Sequence, residues 1–253
     1  MDKSRRRKRW VYVLGIIATA CLAFETYARF PARIAATPLN LDAETMAVIL
    51  IFHGTRGRNE PTLTALTEQF ANAAADAPAT TVVKYIWSPY SDNQFRASAN
   101  AERIGPILGK ELARLPRLES IRLIAHSAGA YLLDPLCKAY REAVDRPARI
   151  EMTFLDPIGI KGAWDFGYGY RNYGHCADFA QAFINVDDIV PGTNAPLKHA
   201  YNFDVTEAEA RSRFTGRGHI WPVQFYLDQL GEIDITPGIR NHSAHNRGEV
   251  EIL

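Results

Sequence analysis

The sequence predicts an α/β protein, a mostly parallel central sheet with helices on both faces. Three observations carry that expectation. Short apolar runs alternate with stretches of helical periodicity along most of the chain. The runs are apolar throughout rather than at every second residue, as strands covered on both faces are. The chain also has 253 residues, 47% hydrophobic and 23% charged, enough apolar material for one sizeable core. This composition excludes a disordered chain, a collagen-like repeat and a disulfide-dense miniprotein.

The formal net charge of +1 hides an asymmetry. Residues 1–9 carry six bases (Lys3, Arg5, Arg6, Arg7, Lys8, Arg9) and one acid, Asp2, whereas the remaining 244 carry 23 bases and 27 acids. Behind the bases, Trp10 to Phe24 is uncharged. A basic stretch followed by an apolar one reads as a signal peptide or signal anchor over residues 1–26, with the body on the far side of a membrane. The expected product is exported, either periplasmic or extracellular, or membrane-anchored. Ala18-Thr19-Ala20 has the form of a leader-peptidase site, Ile17 to Cys21 loosely matches a lipoprotein box, and retention as an anchor is the favoured outcome. Residues 27–45, with Pro31 and Pro38, read as a tether, 46–232 as the folded domain and 233–253 as a polar tail.

Within the domain, Ala47 to Phe52 predicts the first strand and Pro61 to Ala77 a helix, on Leu63, Leu66, Phe70 and Ala73. Thr81 to Trp87 is the second strand, Phe95 to Leu115 a long helix, and Ile121 to Ala125 the third strand, followed by a helix over Ala128 to Val144. Ile150 to Leu155, Ala182 to Val186 and His199 to Val205 are further strands, the last of them followed by a helix over Trp221 to Leu230. Ligands of such sheets bind at the carboxyl ends of the strands, so chemistry is sought there.

The third strand runs into Ala125-His126-Ser127-Ala128-Gly129 and then a helix. A serine on a sharp strand-to-helix turn between small residues is a nucleophile elbow, and it places the Ala128 N–H where an oxyanion would develop. The first strand ends in His53-Gly54-Thr55, whose Thr55 N–H is the candidate second donor; His53 itself reads as a brace of that loop. Asp156, ending one strand, and Asp188, following the next, each satisfy the chain order Ser, Asp, His. His219, on a glycine-bearing loop after the last strand, is the candidate base. His199 sits at the opposite strand edge, His175 in an aromatic loop, and His242 and His245 in the tail.

These segments resemble the α/β-hydrolase superfamily and, within it, the pancreatic-type lipase family, from Val48 to about Leu230. His53-Gly54, Trp87-Ser88, Ala99-Asn100, Arg103-Ile104-Gly105, His126-Ser127-Ala128-Gly129-Ala130, Phe154-Leu155-Asp156-Pro157 and Gly218-His219 carry the likeness. Ala128 and Ile158 depart from the family's usual residues, and its cysteine framework is absent. The resemblance implies a Ser127–Asp156–His219 triad with Asp188 as the alternative acid, an oxyanion hole at Thr55 and Ala128, and hydrolysis of an ester or lipid substrate without a cofactor. An acyltransferase or thioesterase on the same triad, or a non-catalytic binding protein, are the rival expectations.

Trp164 to Gly174 holds five aromatic residues broken by glycines, either a pocket wall or small lid, or a loop packed on the sheet edge. Cys137 and Cys176 stand 39 residues apart; pairing in an oxidising compartment is one expectation, and unpaired thiols are the favoured one. No CxxC or HExxH pattern suggests a metal site, and the acidic body has no basic stripe for nucleic acid.

Overall fold

The computed structural model describes residues 3–77, 79–230 and 246–253, with side chains from Arg9 onward. Seven strands form one parallel sheet: β1 Ala47–Phe52, β2 Thr80–Tyr85, β3 Ser120–His126, β4 Arg149–Leu155, β5 Phe179–Ile184, β6 Tyr201–Asp204 and β7 Val250–Ile252, in the order β2-β1-β3-β4-β5-β6-β7. The helices are α1 Lys3–Arg29, α2 Pro61–Ala73, α3 Ala97–Leu112, α4 Leu133–Arg141, α5 Tyr168–Asn172 and α6 Trp221–Asp228.

The pleat distributes the apolar runs to two cores. Val48, Leu50 and Phe52 of β1 join Ile104 and Leu108 of α3 and Leu133 and Leu136 of α4 on one face. Ile49 and Ile51 join Leu63, Leu66 and Phe70 of α2 and Trp221 and Phe225 of α6 on the other. A strand flanked by helices on both sides has no polar face, which is why its sequence does not alternate. Each large side chain so buried stabilises the fold by about 1.5–3 kcal/mol. Helices α3 and α4 cross closely because of Gly109, where a Cβ would lie 2.3 Å from the Leu136 carbonyl oxygen. An ion pair between neighbouring strands, Arg122 to Glu151 at 3.3 Å, is buried against α2 beneath the Phe70 ring.

Strand order reverses between β1 and β3, since β2 lies on the outer side of β1 and β3 on the inner. The two chains leaving the sheet there diverge and open a crevice at the carboxyl ends. That crevice holds the end of β1 and the segment after β3.

Several expectations need correction. The helix read over Ala128 to Val144 is a 3-10 turn, Ser127–Leu132, followed by α4. The helix after β1 ends at Ala73 rather than Ala77, and β5 begins three residues earlier than read. Residues 27–45 are no free tether. Ala32 N–H donates to Asn100 Oδ1 at 2.7 Å, Ala35 N–H to the Tyr90 hydroxyl at 2.8 Å and Leu39 N–H to Glu111 Oε1 at 2.8 Å, while Leu39 is buried in the core. The tail is not polar to its end either, because Val250–Ile252 pairs with β6 as the seventh strand. Residues 233–245, with His242 and His245, lie outside the described residues.

Cys137 and Cys176 form a disulfide, against the expectation of free thiols. It joins α4 to the segment after the aromatic loop. Asp134 on α4 accepts from the Gly174 and Cys176 N–H groups, and Arg141 donates to the Cys176 carbonyl at 3.1 Å and to Asp178 at 2.8 Å. Replacing both cysteines with serine is expected to lower unfolding free energy by about 2–4 kcal/mol, because the bridge closes a loop of 39 residues. Chemical denaturation of the oxidised wild type against the double variant measures it.

Candidate active site

Ser127 stands at the end of β3 with φ at 55°, and Asp156 at the end of β4 with φ at 49°. Arg56, beside Thr55, has φ at 54°, so three of the four non-glycine residues with positive φ among the described residues gather at this edge. The left-handed region costs an L-residue roughly 1–2 kcal/mol. At Ser127 the strained turn reverses the chain from strand to 3-10 turn and points the side chain out of the sheet. Gly54 is packed so closely on it that a Cβ there would lie 2.6 Å from the Ser127 Cβ.

Asp156, fully buried, accepts from Asn185 N–H through Oδ1 at 3.1 Å and meets His219 Nδ1 through Oδ2 at 2.8 Å. His219 lies in a short 3-10 turn, Gly218–Ile220, held from two further directions. Asn185 Nδ2 donates to the Gly218 carbonyl at 3.1 Å, and His126 Nε2–H donates to the His219 carbonyl at 2.9 Å. Asp188 Oδ2 also reaches His219 Nδ1, at 2.7 Å, while its carboxylate accepts from the Thr193 hydroxyl and the Val190 N–H. The two acids between which the sequence left a choice therefore meet at one nitrogen. Their ligand atoms and that of His219 lie within 4.8 Å of one another, a spacing a metal ion would also accept; the contacts at 2.7 and 2.8 Å are hydrogen-bond distances.

Electrostatics divides the two carboxyls. Burial pushes Asp156 up to about 7, although the hydrogen bond and charge of His219 pull the other way, and the contact with Asp188 adds to the rise. Burial raises Asp188 too, but its hydrogen bonds with Asp156 and Thr193 and the charge of His219 outweigh this, so its carboxyl stays below the usual range. Burial alone would lower His219; the hydrogen bond and charge of Asp156, then those of Asp188, overcome it and raise the imidazole. With the Nδ1 proton directed at the carboxylates, Nε2 keeps a lone pair for a proton acceptor's work. His126 is fully buried and pushed down to about 3 by that burial and the neighbouring His219, so it stays neutral.

His53 braces the loop after β1, in keeping with its sequence reading. Trp87 N–H donates to the His53 Nε2 at 3.3 Å, His53 Nδ1–H donates to the Gly54 carbonyl at 2.8 Å, and the Trp87 indole N–H donates to the His53 carbonyl at 2.7 Å. Thr55, Arg56, Ser127, Ile158, Val190 and His219 line one open cavity of about 790 Å³, together with Pro89 and residues 92–95. The Thr55 hydroxyl is buried without a partner there. Ala128, second residue of its 3-10 turn, has an N–H with no intrahelical acceptor.

The remaining histidines lie elsewhere: His175 and His199 meet each other, ring to ring at 4.9 Å. The aromatic loop divides. Tyr168 and Tyr173 pack inward with Tyr131 and Phe154, Trp164 and Phe166 are exposed, and none of the loop's rings lines the cavity beside Ser127. Sequence reasoning missed Asn185 and the orienting role of His126; each is an ordinary polar residue whose partner is remote in sequence.

No protein-family model and no curated protein matches the chain. Among solved structures it is similar to MGS-M1, an alpha/beta hydrolase enzyme from a Medee basin deep-sea metagenome library, at 13% identity and a TM-score of 0.34. The likeness covers 77% of this chain and 88% of that one and is too loose to transfer any residue's role. The pancreatic-lipase resemblance drawn from local motifs gains no support from these comparisons. The parallel sheet, its order around β1 and β3 and the elbow after β3 nonetheless make this an α/β-hydrolase fold.

The Gly54→Ala variant is expected to lose about 1–3 kcal/mol of unfolding free energy, read by chemical denaturation against wild type, because the added methyl would lie 2.6 Å from the Ser127 Cβ and force the turn to shift.

Proposed function

We propose that this protein is a serine hydrolase acting on carboxylic esters. The observation that supports it most is the shared cavity. Ser127, on a strained elbow, and His219, its Nδ1 held by buried carboxylates, line the same space. In this reading Ser127 Oγ attacks the acyl carbon while His219 Nε2 takes its proton. The Ala128 N–H and the Thr55 N–H receive the oxyanion, and the unpartnered Thr55 hydroxyl is a third donor at that position. Collapse breaks the ester C–O bond, and His219 returns the proton to the departing alcohol. Water, deprotonated by the same Nε2, then attacks the acyl-enzyme and releases the acid.

The carboxylates act as a pair. Asp156 is the more buried and is clamped by Asn185, so it sets the imidazole's orientation; Asp188 keeps a negative charge beside the cation that forms. Asp156→Asn should lose more turnover than Asp188→Asn, with the double variant approaching a loss of about 10⁴-fold. Equal loss in both single variants would contradict this ranking of the two acids.

A pH profile separates the charge effect. Catalysis needs neutral His219, so kcat/KM rises with pH through its pKa, which the carboxylates hold above the ordinary value. Removing the Asp188 charge lowers that pKa, and the acid limb of the Asp188→Asn profile moves to lower pH. An unmoved limb refutes the electrostatic role. The reading as a whole is tested by labelling with a fluorophosphonate: wild type reacts and Ser127→Ala does not.

A further inference from the structure

Resting on that hydrolase reading, we propose that the cavity opens at the surface of a lipid bilayer holding α1, and that its substrate is a long-chain acyl ester resident in that bilayer. The segment Arg9–Arg29 is long and apolar enough to cross a membrane. Trp10, Tyr12, Leu14, Ile16, Ile17 and Leu22 are each more than half exposed, so the helix does not spend its apolar surface on the protein's own core. A contiguous apolar surface of this kind, preceded by six bases, fits a bilayer with the bases held on one side.

The carboxyl end of α1 is fastened to the rim of the cavity. The Phe24 ring meets Phe95 edge-on at 5.2 Å, and Asn93 Nδ2 donates to the Tyr27 hydroxyl at 2.6 Å. Arg96 covers the Tyr27 ring at 5.0 Å and donates to the Phe30 carbonyl at 2.7 Å. Asn93 and Phe95 line the same cavity as Ser127. Asn93 and Phe95 thus touch both the cavity and the last two turns of the apolar helix.

A second loop reaches the same point. Ala163 N–H donates to Glu25 Oε2 at 2.7 Å, and Trp164 and Phe166, directly after it, are 62% and 68% exposed. Ile189, 93% exposed, adjoins the cavity residue Val190. Exposed aromatic rings beside the end of a spanning helix belong at the headgroup level, where an apolar ring and a polar backbone are both satisfied. The carbonyl of a long-chain ester rests at that level too, with its chain in the hydrocarbon. Such a substrate reaches Ser127 by moving sideways in the leaflet, without leaving it.

The test uses the full chain in phosphatidylcholine nanodiscs with two substrates, 4-methylumbelliferyl oleate dissolved in the bilayer and 4-methylumbelliferyl butyrate in the water. Two variants are compared with wild type: Phe24→Ala/Tyr27→Ala, which undocks the helix, and Trp164→Ser/Phe166→Ser, which removes the exposed rings. Fluorophosphonate labelling of Ser127 at the wild-type rate establishes that each is folded. The expected result is a loss of about tenfold on oleate in each, with butyrate kcat/KM unchanged within about twofold. Undiminished oleate turnover in both variants, or a wild-type preference for butyrate, overturns the membrane-facing site and leaves the hydrolase standing. Absence of turnover on both esters by a wild type whose Ser127 is unlabelled overturns the hydrolase reading as well.

Discussion

The contact on which the site's arrangement turns is the one between His219 Nδ1 and two buried carboxyls. An imidazole on a surface loop rotates and titrates freely; this one does neither. Asp156 and Asp188 direct its Nδ1, His126 holds its carbonyl, and Asn185 holds both the preceding residue and Asp156. Four separate segments converge there, from the ends of β3, β4 and β5 and the loop before α6. Orientation therefore comes from the sheet, which is rigid, rather than from the loop that carries the histidine.

Placing two acids at one nitrogen carries its own constraint. Like charges at this distance disfavour double ionisation, and deep burial settles which group yields: Asp156 is driven up and Asp188 stays ionised. The hydrogen bonds and negative charge of the two carboxyls, Asp156 first, raise His219 against its burial. Backbone strain at Ser127, Asp156 and Arg56 belongs to the same arrangement, because each left-handed residue ends or follows a strand where the chain must turn sharply out of the sheet. Two packed cores and the bridge from Cys137 to Cys176 hold the frame that keeps those turns in place.

Much of the architecture was legible in local pattern. Ala47–Phe52 is a strand over the very residues that the apolar run marked, and β3 and β4 differ from their sequence bounds by one residue at the ends. These strands are buried on both faces, so burial and hydrophobicity coincide. Legibility failed where partners are distant. Val250–Ile252 is only three residues long, with Glu251 at its centre, and becomes a strand because β6 offers an unpaired edge. Residues 27–45 looked unstructured since proline-broken segments lack periodicity, yet their backbone groups find side chains of α3 and Tyr90. The helix expected from Ala128 opens with five residues, 128–132, that close as 3-10 in the tight turn into α4.

What the sequence determined by itself was the α/β class, the sharp turn at Ser127, the chain order Ser127, Asp156, Asp188, His219, and the apolar helix behind a basic run. All of these are local in the chain: hydrophobic period, small residues beside a serine, charge next to an apolar stretch. The tertiary structure alone decided that Cys137 meets Cys176, that Asp156 and Asp188 share His219 rather than compete for the place, and that the end of α1 abuts the cavity rim. Those contacts join residues that lie tens of positions apart in the chain. Proximity across such distances is set by how strands and helices stack in space, and no one-dimensional pattern encodes it.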